Sequence, residues 1–140
     1  MKVSGSVSRK FGAETGNFPA VWEFVSQVLT EYGVDEAVLM QIELGVEEVF
    51  VNIASYAYPG TKGEAEVAVS VEDGAAILRF TDSGVAFDPL AAPAPDTDLP
   101  AEERQIGGLG IYLVKEMMDD VSYRYEDGKN VLVIKKLLRA

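Results

Sequence analysis

The chain of 140 residues is the length of one domain, residues 1–140, and long enough to bury a core. It contains neither cysteine nor histidine, which excludes a disulfide framework, a thiol nucleophile, a Ser-His-Asp triad, zinc held by either residue and a phosphohistidine intermediate. A net charge of -11, from 12 basic and 23 acidic residues, argues against nucleic-acid binding and means that a bound phosphate needs local help from backbone amides, a helix N-terminus or a metal. Any general base must then be a carboxylate or a lysine, and any metal a hard, oxygen-bound ion such as Mg²⁺. No apolar run approaches the roughly 20 residues of a membrane span, and the N-terminus lacks the apolar stretch of a signal peptide, so the expected location is the cytoplasm.

Residues 3–9 alternate weakly and predict an edge strand. Asn17 is placed to cap a helix with Pro19 in its first turn, and Val21, Phe24, Val25, Val28, Leu29 and Tyr32 give that helix an apolar stripe that Gly33 ends. Asp35 is the predicted cap of a longer second helix, stopped near Tyr58 by Pro59-Gly60. Residues 64–71 and 75–82 read as a hairpin turning at Asp73-Gly74. An irregular stretch follows from Ser83 to about Ile106 and holds four of the six prolines; at this length it is a lid or binding loop. "GGLG" opens a third helix, and a second hairpin around Asp127-Gly128 closes the chain. Strand pairs alternating with helices predict an α+β two-layer sandwich, its mostly antiparallel or mixed sheet covered on one face by helices.

Three polar clusters interrupt this pattern. On the second helix, Leu39, Ile42, Val46, Val49, Phe50, Ile53 and Ala57 share an apolar sector at about 100° per residue. Glu48 and Asn52 stand together beside that sector, whereas Glu43 and Glu47 lie toward its other flank. Gly45, one turn before Glu48, leaves room for something to approach. Such a Glu/Asn pair can offer a carboxylate and an amide oxygen to Mg²⁺ or its waters, although a solvated helix face has the same composition. The second cluster, "TDSGVAFDP" at residues 81–89, ends a strand in an acidic residue and a glycine, which suits close ligand approach as well as it suits a turn. Phe87 within it asks for burial. The third, "IGGLGI" at residues 106–111, leads into a helix and exposes backbone N–H groups as a phosphate site does. Arg104 lies just upstream, where it can meet a phosphate.

The order of these clusters resembles the N, G1 and G2 boxes of the GHKL ATPase superfamily, which includes gyrase, heat-shock chaperone, histidine kinase and mismatch-repair ATPases. Within it the chain is most similar to the anti-sigma factor serine/threonine kinases, from the first helix to the last strand. The resemblance implies a histidine-kinase-type ATPase fold with an ATP lid at about residues 83–106. It implies that Asn52 coordinates Mg²⁺ bridging the ATP phosphates and that Glu48 is the general base or orients the nucleophile. It gives Asp82 the adenine amino group, with Gly84 and Phe87 in the same box, and gives Gly107, Gly108, Gly110 and Arg104 the phosphates. The implied activity is phosphorylation of a small anti-sigma-factor antagonist, together with sequestration of a sigma factor. Relatives pair as homodimers, which no residue of this sequence establishes.

Two positions depart from the family pattern. Tyr56 stands where many relatives have a histidine. The final strand, "NVLVIKKLL", lacks the threonine that many carry near the adenine aspartate, although Thr81 lies beside Asp82. These departures leave a second expectation standing beside the kinase: a non-catalytic, nucleotide-gated binding module whose lid changes a partner surface.

Overall fold

The computed structural model describes residues 6–88 and 114–138. Strand β1 spans Val7–Gly12, later than the alternation at residues 3–9 suggests. The shift has a packing reason: Phe11 is buried against Phe24 with ring centroids 5.9 Å apart, and Arg9 lies over the Phe24 ring. A 3₁₀ turn at Thr15–Asn17 then feeds helix α1, Phe18–Thr30. Asn17 precedes that helix but does not cap it. Its backbone is already helical at φ -88, ψ -3, and its Nδ2 donates to the Gly12 carbonyl at 2.9 Å instead. Because the chain enters α1 from a 3₁₀ turn, the extended residue that starts the helical run is Glu14.

Asp35 caps helix α2, Glu36–Tyr56, as its position predicts: extended at φ -63, ψ 143, it accepts from the Ala37 N–H. The apolar stripes of both helices face one core. Val21, Phe24, Val25, Val28 and Leu29 of α1 are buried with Ile42, Val46, Val49 and Phe50 of α2. Leu39 and Ile53 are only partly buried, at the margins of that stripe. Gly45 is buried too, and the space its missing side chain leaves is taken by Met118, whose methyl group lies 3.2 Å from where a Cβ would stand.

The remaining strands are β2 (Glu64–Glu72), β3 (Ala75–Asp82), β4 (Asp120–Glu126) and β5 (Lys129–Leu137). They form with β1 one sheet in the order β1-β2-β3-β5-β4, every pair antiparallel. Both hairpin turns have positive φ at each central residue, Asp73 and Gly74 in one, Asp127 and Gly128 in the other. That conformation matches strand twist and explains the Asp-Gly pairs. One face of the sheet, with Val67, Val69, Leu78, Phe80, Leu132 and Ile134, packs against the helices. The other carries exposed Arg79, Lys129 and Lys135.

The central neighbours β3 and β5 are not consecutive in sequence. Everything from residue 83 to residue 119 lies between β3 and the β4–β5 hairpin, so the long irregular stretch leaves the sheet from its middle. Of the expected third helix, residues 114–117 are helical, with Val114 and Met118 buried and Lys136 donating to the Met117 carbonyl at 2.8 Å. Its start, and most of the expected lid, fall outside the described residues.

Two contacts hold the exit of β3 to the end of α2. Val85 N–H donates to the Ala57 carbonyl at 2.8 Å, and Ser83 N–H donates to the Tyr58 hydroxyl at 2.9 Å. Gly84 sits so close to Ala57 that a Cβ there would collide with the Ala57 carbonyl, a backbone atom with nowhere to move. Gly84→Ala is therefore expected to lower stability by about 1–3 kcal/mol, the cost of overpacking. Thermal unfolding reads this as a reduced Tm, and an unchanged Tm would show that the joint carries no strain.

Candidate functional site

The described residues bury two polar side chains, Asp82 at 5% and Asn130 at 6% exposure. Buried polar groups cost free energy unless they are hydrogen-bonded. The pairing of β3 with β5 puts these two residues directly opposite each other. Asn130 Nδ2 donates to Asp82 Oδ1 at 2.9 Å and to the Val85 carbonyl at 2.8 Å. Asn130 Oδ1 accepts from Phe87 N–H at 3.1 Å and from the Tyr123 hydroxyl. Gly84 N–H also donates to Asp82 Oδ1, at 2.9 Å.

Burial first, and then the Asp88 and Asp82 carboxylates, push the Tyr123 hydroxyl above its ordinary value, against an opposing hydrogen bond from the Phe87 backbone. It therefore keeps its proton and donates.

These groups line one end of a cavity of about 40 Å³. Its walls are apolar: Val49, Ile53 and Ala57 from α2 and the end of that helix, with Phe80 and Leu132 from the sheet. Asn52 and Tyr56 complete the α2 side. Phe87 stacks on Tyr56 with centroids 5.6 Å apart and planes 25° from parallel. The volume holds a few water molecules, so the walls must move apart before a planar ring system fits.

The two glutamates of "VEEVFVN" differ as their positions on the helix predict. Glu47 is exposed, whereas Glu48 is half-buried. Burial, and secondarily the charge on Glu47, hold the Glu48 carboxyl above the usual carboxylate range. Glu48 lies one helical turn before Asn52 and outside the lining of the cavity. No group of three or more acidic, histidine or cysteine ligands forms among the described residues. Asn52 with the neighbouring Glu48 offers hard oxygen donors that suit Mg²⁺ carried largely by water and by a ligand's phosphates.

Of the residues singled out in the sequence, Asn52, Asp82 and Phe87 meet around one cavity, with Gly84 hydrogen-bonded to Asp82. The space that Gly84 leaves is filled by Ala57. Arg104, Gly107, Gly108 and Gly110 lie outside the described residues. Thr81 does not replace the missing threonine, because alternate residues of a strand point to opposite faces. The final-strand residue that bonds Asp82 is Asn130, which the sequence reading did not single out. Strand alternation could have found it, since Asn130 shares its face with Leu132 and Ile134, a polar residue in phase with a core-facing set. Tyr123 on β4 joins it by the same alternation and pairs with Leu132.

The description "histidine kinase-like ATPase domain" matches residues 11–136. The serine-protein kinase RsbW of Listeria monocytogenes serovar 1/2a is 28% identical over 116 residues, covering 79% of this chain and 74% of that protein. The serine-protein kinase RsbW of Bacillus cereus strain G9842 is 27% identical over 132 residues, covering 86% and 82%. Among solved structures, that of the RsbU and RsbW domains of Rv1364c from Mycobacterium tuberculosis superposes with a TM-score of 0.70 at 16% identity. It covers 98% of this chain, which spans 34% of the mycobacterial one, and bears on the fold alone. With a match that runs from β1 into β5, the chain belongs to the histidine kinase-like ATPase family.

Proposed function

We propose that the protein is a Mg-ATP-dependent protein serine/threonine kinase that acts on a small anti-sigma-factor antagonist and sequesters a sigma factor in its other complex. The cytoplasm is its proposed location, and among the described residues no helix is long and apolar enough to cross a membrane. The observation that carries the reading is the Asp82 carboxylate. Both of its hydrogen bonds end on Oδ1, which leaves Oδ2 as a free acceptor on a residue that lines a mostly apolar cavity. An acceptor among apolar side chains suits the amino group of adenine, and aromatic and aliphatic lining suits its ring. The names of the similar serine-protein kinases support the reaction class.

In this reading Mg-ATP supplies the transferable phosphoryl group, with the metal neutralising its charge. Asn52 would hold the metal through its amide oxygen. Glu48 takes the proton from the attacking serine or threonine hydroxyl as that oxygen bonds phosphorus and the bond to the ADP oxygen breaks. A carboxyl held above its ordinary range is a better proton acceptor than a fully solvated one. Gly107, Gly108, Gly110 and Arg104 are proposed for the phosphates, and residues 83–106 for the lid.

A second reading, a nucleotide-gated binding module without turnover, is favoured by one observation. Tyr56 is occupied in a stack with Phe87, so nucleotide binding reorders the root of the lid whether or not chemistry follows.

Two variants test the pocket and the chemistry separately. Asp82→Asn turns an acceptor oxygen of the carboxyl into a donor and is expected to weaken ATP binding about tenfold or more, as for loss of a hydrogen bond to a charged group. Isothermal calorimetry checks this, and unchanged affinity rejects the adenine pocket. Glu48→Gln is expected to cut phosphoryl transfer to the antagonist by about 10²–10⁴-fold with ATP affinity retained; undiminished transfer removes Glu48 as base, and no transfer in the native chain leaves the gated module.

The same variant has a stability signature. A raised carboxyl favours the folded state at low pH, and that contribution is lost as pH rises through the folded value. Neutral Gln should raise Tm at neutral pH, with the gain vanishing below the ordinary value of 4.5. A Tm gain independent of pH would exclude desolvation of Glu48 as its source.

A further inference from the structure

Asn130 stands at the centre of the cavity's polar end, yet nothing in the proposed chemistry requires a side chain there. Its amide has two donor hydrogens and two acceptor lone pairs. All four are used, and by four different residues: Asp82 Oδ1 and the Val85 carbonyl accept, while Phe87 N–H and the Tyr123 hydroxyl donate. The orientation of the amide is over-determined, because a flipped one would set its oxygen against a carboxylate and a carbonyl. No wholly buried side-chain nitrogen or oxygen among the described residues lacks a partner. Asp82 Oδ2, with no hydrogen bond among the described residues, is therefore not sealed inside the protein, and Asp82 is one of the residues that line the cavity.

We infer that Asn130 is a specificity-determining positioning residue of the base pocket. By pinning Oδ1 it presents Oδ2 as an acceptor for a donor on the bound base, and through Phe87 N–H it sets the aromatic wall that faces Tyr56. The inference rests on the reading of the cavity as an adenine site. It makes one side chain responsible for two features of recognition, the hydrogen-bonding edge and the stacking face. A threonine hydroxyl has a single hydrogen to donate and could serve Asp82 or Val85, not both. An aspartate of the same shape would oppose an acceptor to each of them.

The test compares ATP with inosine triphosphate, whose base carries a 6-oxo group in place of the 6-amino group, by calorimetric titration of the full chain, with thermal unfolding measured alongside. The native chain is expected to prefer ATP. Asn130→Asp should weaken ATP about tenfold or more and remove most of that preference, while inosine triphosphate changes little. Asn130→Thr, which keeps one donor for Asp82, should retain the preference with weaker overall binding. A merely structural residue would behave otherwise: in Asn130→Asp both nucleotides would weaken in parallel, a result that overturns the assignment. Should Asn130→Asp not fold, Asn130→Leu, which keeps the size but removes the donor to Asp82, carries the readout: loss of the preference supports the role, and a preference kept while both nucleotides weaken together rejects it. If the native chain binds neither nucleotide, the adenine reading falls and this assignment with it. If the native chain prefers ATP and the Asp variant preserves that preference, the assignment alone falls.

Discussion

The amide–carboxylate pair of Asn130 and Asp82 is the constraint on which the site's geometry depends. Two polar side chains are buried at adjacent ends of the two central strands, and their hydrogen bonds tie together segments far apart in the chain. The cost of burying such groups unpaired, about 1–3 kcal/mol each, makes the register of β3 against β5 a discrete choice. A slip of one residue would flip every side chain of β5 to the other face and set Lys129 or Val131 opposite Asp82. The same pairing that satisfies the polar groups also seats Leu78 against Ile134 and Phe80 against Leu132 across the core. Packing and polar satisfaction select one register, which is what a unique native state requires.

Helix α2 serves both sides of this arrangement. Its buried stripe of Ile42, Val46, Val49 and Phe50 anchors the core, and the flank beside it carries Glu48, Asn52 and Tyr56. Rigid packing of the stripe limits how far the flank can move, so the site residues inherit precision from the core. The cost is visible at Glu48, a carboxylate held partly out of water with another glutamate beside it. A helix selected for stability alone would not place it there, which is the pattern expected where function opposes stability.

Much of this was legible in the sequence because it is local. The stripes of α1 and α2, the Asp35 cap and the two Asp-Gly hairpins follow from spacing and turn chemistry within a few residues. Glu47 and Glu48 could be told apart by helical rotation alone. Asn17 misled because a 3₁₀ turn, which periodicity does not report, had already made its backbone helical. Gly45 misled for a different reason: the neighbour that fills its space, Met118, is distant in sequence. Asn130 was missed on similar grounds. Its phase with Leu132 and Ile134 was available, but its meaning depends on a partner 48 residues away across a non-local strand pair.

The electrostatics of the chain also bear on how a nucleotide lies in the proposed site. With a net charge of -11 the protein repels a triphosphate at long range, and Asp82 repels it most strongly within the cavity. The end of the pocket that best accepts a hydrogen-bond donor is therefore the end that least tolerates phosphate. In the proposed binding mode a base would therefore lie beside Asp82 and Asn130 and its phosphates on the Asn52 side, where a divalent cation would offset the charge. In that mode one buried carboxylate would both recognise the base and turn the phosphates away from itself. Phe87 sharpens the consequence. Its ring stacks on Tyr56 while its N–H is held by Asn130, so the aromatic wall and the polar groups of the pocket are tied together through one residue.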